Sequence, residues 1–110
     1  MATDHERLAL ILELIDLIKS RLANASLEGF RLDRDEIDLT AFRLAHVGEL
    51  TNRLSDGLKL RHPEIPWRPI VAMRNIISHD YQAISPTLVW NASTIALAEF
   101  EAMCRAELGG

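Results

Sequence analysis

Residues 8 to 22 constrain this chain more than any other stretch. Leu8, Ile11, Leu12, Ile15, Ile18 and Leu22 recur at the spacing that lines one face of an α-helix. Leu10, Leu14 and Leu17 widen that face well beyond a narrow seam. A helix so broadly apolar needs burial on more than one side, which a bundle core plus a subunit interface would supply. Glu13 and Asp16 interrupt the apolar run, and Asp4 and Glu6 precede it where a leader would carry basic residues. The segment therefore reads as neither a signal peptide nor a membrane span. With no lipidation signal at either end, a cytoplasmic protein with no membrane partner is expected.

The remaining pattern is also helical. The first helix is expected from about Asp4 to Ala25, capped by Thr3 or Asp4. Ser26 to Leu32 read as a turn around Gly29. Asp33 followed by Glu36 resembles a capping box. It opens a second helix to about Leu60, with Ile37, Leu44, Val47, Leu50, Leu54 and Leu58 on its core face. Gly48 inside that helix costs roughly 1 kcal/mol against alanine, which a close helix approach would explain. Pro63 and Pro66 forbid a continuous helix. A third helix is expected from about Trp67 to Asp80, and a fourth from Pro86 to about Glu107. No stretch alternates with period two. The chain is thus expected to be a single all-α domain over residues 1–110, a compact up-and-down bundle of four helices, or five segments.

At 110 residues, with 48% apolar side chains, the chain can bury one small core. The lone cysteine, Cys104, excludes an internal disulfide. His5, His46 and His62 make no ligand spacing with it, so neither a metal nor another cofactor is expected. His46 reads as a packed or bridging histidine, Trp67 and Trp90 as core anchors. The net charge of −4 is unevenly spread. Residues 53–74 carry Arg53, Lys59, Arg61, Arg68 and Arg74 against Asp56 and Glu64, a local excess of +3. That is either an anion-attracting surface on an acidic protein or an ordinary solvated helix end.

This basic segment leads into Met73-Arg-Asn-Ile-Ile-Ser-His-Asp-Tyr81. Arg74 is a permanent cation whose planar fork of donors suits a phosphate. His79 can exchange a proton near neutral pH. Tyr81 offers a hydroxyl that can bond or be modified. On a continuous helix Asn75 and His79 share a face, as do Arg74 and Ser78. Met73, Ile76 and Ile77 would cover the buried side, leaving Arg74 partly buried. Such a strip suggests metal-independent chemistry on a phosphodiester. In isolation an Arg–His pair is more often a helix end with an ion pair and a capping histidine.

The surroundings of the strip make it specific. Val47-Gly-Glu-Leu-Thr-Asn-Arg-Leu-Ser55, His62-Pro-Glu-Ile-Pro-Trp67, Met73 to Tyr81 and Val89-Trp90 follow one another in an order and spacing that resemble the HepT family of HEPN-domain toxins. The resemblance covers most of residues 6–108. It implies a helical bundle that forms a homodimer, acting as a metal-independent ribonuclease on RNA with its cleft between subunits. It also implies a toxin–antitoxin system in which a minimal nucleotidyltransferase antitoxin attaches AMP to the motif tyrosine. Carried onto this chain, Arg74 and His79 become the catalytic pair and Tyr81 the AMP acceptor, with Asn75 and Ser78 in support. Asn75 fits the family's preference for a polar residue after the arginine. Glu49 and Asn52 could line the cleft opposite Arg74. The competing reading is a non-catalytic helical module that binds nucleotide or antitoxin through the same residues.

Overall fold

The computed structural model describes residues 2–77, 84–94 and 97–109. Among these, helix α1 spans Asp4–Leu22, α2 Leu27–Arg31, α3 Arg34–Asn52, α4 Asp56–Arg61, α5 Trp67–Ala72, α6 Pro86–Thr94 and α7 Ala98–Glu107. A 3-10 turn, Met73–Asn75, follows α5 directly. The described residues contain no strand, so the all-α expectation holds. The number of helical pieces among the described residues is larger than the expected four or five.

The helix starts are where side-chain caps put them. Thr3 accepts from the amide of Glu6 and Asp33 from that of Glu36, opening α1 and α3. Ser26 does the same for Gly29, so the expected turn at 26–32 contains the short helix α2. The expected helix through Leu60 instead stops at Asn52. Ser55 is the reason. Its hydroxyl accepts from the amide of Leu58 at 3.2 Å and caps α4. Its amide and hydroxyl also donate to the Asp4 carboxylate at 2.9 and 2.5 Å. A residue so held by the start of α1 cannot continue α3. The expected single helix over 86–107 is two, α6 and α7. Near the end of α6, Ser93 and Thr94 both donate to carbonyls four residues back, a back-bonding that weakens and bends helices.

Helix α3 is the centre of the packing, touching α1, α2, α5, the 3-10 turn and α6. Its buried face carries Ile37, Ala41, Leu44, Val47 and Gly48. Leu8, Ile11, Ile15 and Ile18 of α1 complete one core with Phe100 and Cys104 of α7. Trp90 packs on Phe30 with ring centroids 5.4 Å apart, and Trp67 stands edge-on to Phe100 at 6.0 Å. Both tryptophans are core anchors, as expected. Leu14 is buried, whereas Leu17 stays 42% exposed, so the broad face of α1 is not wholly covered within one chain. No helix among the described residues is long and apolar enough to cross a membrane.

Candidate functional site

The segment bearing Arg74 is positioned from both ends. At its start, the indole of Trp67 donates to the carbonyl of His62 at 2.9 Å while its ring packs on Phe100. His62 is clamped in turn, its ring nitrogens 2.5 Å from Glu107 and 3.3 Å from Glu64. Arg61 reaches the other oxygen of Glu107 at 2.8 Å. The bonds from Arg61 and then His62 hold the Glu107 carboxyl down to about 2. The bond to Glu107 raises the His62 imidazole above its ordinary value. His62, which caps the end of α4, thus fastens the α4–α5 turn to α7.

At its far end, the segment meets Gly48. A methyl group there would lie 3.0 Å from the carbonyl carbon of Met73, 3.1 Å from Arg74 Cα, and closer still to the Arg74 nitrogen. The only side chain that admits this approach is hydrogen. The glycine inside α3 is therefore explained by close packing, here of the 3-10 turn on the helix. The tightening also ends the helix: Ile76 donates to the Met73 carbonyl at 3.0 Å, and the α-helix does not extend past Ala72. The expected continuous helix thus gives way to the 3-10 turn after Ala72, and the expected pairing of Asn75 with His79 and of Arg74 with Ser78 falls on residues that are not described. Ser78, His79 and Tyr81 lie outside the described residues.

Arg74 is exposed, not partly buried as the helical pattern suggested, and Asn75 is exposed beside it. They sit on a ridge between shallow grooves. On one side, a groove of about 580 Å³ is walled by Phe42, His46, Glu49 and Ile77. On the other, a groove of about 380 Å³ is walled by Lys59, Trp67, Arg68 and Val71. Among the described residues no carboxylate pairs with Arg74. Glu49 does line the cleft beside it, as anticipated, but bonds Arg53 at 3.1 Å. Asn52 is exposed and lines neither groove. His46 is exposed rather than packed, and stands edge-on to Phe42 at 6.5 Å. Phe42 itself is 61% exposed. It drew no attention in the sequence, although an aromatic off the core stripe of α3 was the available signal. Among the described residues no three of His, Cys, Asp and Glu gather as metal ligands.

An exposed arginine on a sterically fixed ridge, with no carboxylate partner among the described residues, can hold an anion. Comparison with known proteins shows the family to which the chain belongs. Residues 11–107 match the family model described as "Ribonuclease HepT-like". A Thermococcus cleftensis protein named "Probable ribonuclease HepT" is 30% identical over 80 residues, 73% of each chain. A Caldanaerobacter subterraneus subsp. tengcongensis protein named as a "Putative RNase" is 26% identical over 103 residues, 92% of this chain and 90% of that one. A Methanocaldococcus jannaschii protein so named is 32% identical over 44 residues, 40% of each. No solved structure matches. The family match spans nearly the whole helical domain, including α3, the ridge and α7, and on that ground the chain belongs to the HepT-like ribonuclease family.

Proposed function

We propose that this chain is the toxin of a toxin–antitoxin pair, a metal-independent endoribonuclease whose composite site forms at a homodimer interface. The observation that carries the reading is Arg74, exposed, unpaired among the described residues, and fixed by the approach of its backbone to Gly48. In this reading Arg74 binds the scissile phosphate and offsets the charge that develops in the transition state. His79 acts as general base or acid while a ribose 2′-hydroxyl attacks the adjacent phosphorus. The 5′-oxygen of the next nucleotide leaves and takes a proton, giving a 2′,3′-cyclic phosphate end. A second copy of the motif supplies the complementary proton transfer. Asn75 and Ser78 support the pair. Three exposed apolar side chains near the ridge, Phe42, Ile77 and Leu88, favour a second copy of the chain docking there.

Regulation follows from Tyr81. A cognate minimal nucleotidyltransferase would transfer AMP from ATP to its hydroxyl, the tyrosine oxygen attacking the α-phosphorus and pyrophosphate leaving. The added charge and bulk would repel and displace RNA phosphate from the cleft.

RNA cleavage in the presence of a chelator tests the catalytic core. The expected outcome is cyclic phosphate ends, no DNA cleavage, and loss of activity in Arg74→Ala and His79→Ala with the thermal transition unchanged for the exposed Arg74. Cleavage that survives His79→Ala would remove the histidine from the reaction. A chain that binds RNA but never cuts it would favour the non-catalytic module. Intact mass after co-expression with the nucleotidyltransferase tests the switch. Whole AMP additions that vanish in Tyr81→Phe are expected, and their absence would refute AMP control.

A further inference from the structure

The local excess of positive charge over residues 53–74 resolves, in three dimensions, into one groove. Of its five basic side chains, Arg53 is neutralised by Glu49 and Arg61 by Glu107. The three that remain without a carboxylate among the described residues are Lys59, Arg68 and Arg74, and all three line the groove of about 380 Å³ beside the ridge. Elsewhere Lys19, Arg21, Arg34 and Arg105 are held by acidic neighbours. Among the described residues no carboxylate lines this groove. Its aromatic wall, Trp67, has its indole N–H committed to the His62 carbonyl and its ring edge-on to Phe100. Lys59 donates from its ammonium to the backbone carbonyl of Asn52 at 3.3 Å, a bond that leaves its charge without a carboxylate partner among the described residues.

The geometry points to a second phosphate subsite, formed by Lys59 and Arg68 beside Arg74, that holds the backbone of single-stranded RNA to one side of the scissile bond. This rests on the ribonuclease reading of the Arg74 site. Arg68 lies six residues before Arg74 on the same helical segment, roughly 9 Å along it at the ordinary helical rise, so both can engage one strand. Beyond Asn75 on the ridge, the polar groups that line the groove among the described residues are cations. Phosphate contacts position a strand without reading its bases, so selection on this side is indifferent to sequence. The opposite groove, walled by Phe42, His46 and Glu49, carries aromatic and polar groups.

The test is the salt dependence of binding to a fluorescent 2′-O-methyl oligoribonucleotide, which the enzyme cannot cut because the attacking hydroxyl is blocked. Each phosphate contact to a single strand contributes a slope of about −0.7 in log K against log salt. Arg68→Ala is expected to reduce the slope by about 0.7 and the Lys59→Ala/Arg68→Ala pair by about 1.4, with equal effect on oligonucleotides of different sequence. Arg31→Ala, on α2 and in neither groove, is expected to leave it unchanged. A slope that stays at the wild-type value in both groove variants, while Arg74→Ala still weakens binding, would overturn the subsite and leave the ribonuclease reading standing. Wild-type protein that cleaves no RNA and binds no oligonucleotide would overturn both. Groove variants that alter binding of the nucleotidyltransferase but not of RNA would overturn the subsite in favour of a protein partner.

Discussion

Gly48→Ala is the sharpest perturbation available, because two opposed effects act on one methyl group. In an unhindered helix the change stabilises by about 1 kcal/mol. Here the new methyl would press on the backbone of Met73 and Arg74, 3.0 and 3.1 Å away at two of the three nearest atoms. Backbone cannot swing aside as a side chain can, so the 3-10 turn must move as a body. Overpacking of this kind costs about 1–3 kcal/mol. The net expectation is a loss of roughly 1 kcal/mol after the propensity gain is subtracted, or about 4–8 °C in Tm for a domain near this size. The larger effect should fall on activity. The displaced atoms carry the Arg74 side chain, and a shift of about 1 Å in a positioning group can cost on the order of 100-fold in rate. Gly57→Ala is the matched control. Its nearest neighbour is the Ser55 hydroxyl at 4.0 Å, so it should stabilise by about 0.5–1 kcal/mol. Thermal melts and RNA cleavage at a temperature where all three proteins are folded give both readouts. A Gly48→Ala protein that melts higher than wild type and cleaves as fast would refute the close approach.

Two further outcomes follow from the titrating groups. Glu107, lowered from 4.5 to about 2, contributes stability above pH 4.5 that is lost as pH falls toward 2. His62, raised from 6.5, contributes stability below pH 6.5 that is lost as pH rises through its folded value. The clamp between the end of α4 and α7 is therefore strongest between about pH 4.5 and 6.5. Urea midpoints across pH should show Glu107→Gln flattening both flanks, and an unchanged profile would exclude the clamp. Cys104 is fully buried and its thiol is pushed up to about 12 by that burial. An aromatic disulfide reagent should leave it untouched in native protein and react with one thiol per chain in denaturant; rapid native labelling would contradict its burial.

Much of this molecule was legible in the linear chain because the forces concerned are local. Apolar spacing named the buried faces of α1 and α3, and Ser, Thr and Asp caps act within three residues, so both helix starts were readable. The Arg74 to Tyr81 string and its flanking landmarks were enough to indicate the family. What escaped was decided by partners far apart in sequence. Helix α3 ends at Asn52 because Asp4, 51 residues before Ser55, holds that serine. The turn carrying Arg74 tightens because Gly48 of another helix admits its backbone, which exposes the arginine that helical periodicity placed half inside. The basic segment showed its excess charge in composition, but pairing Arg61 with Glu107, 46 residues away, left Lys59, Arg68 and Arg74 as the groove's cations. A charge count sums over neighbours in the chain, whereas an ion pair depends on neighbours in space, and packing alone brings those together.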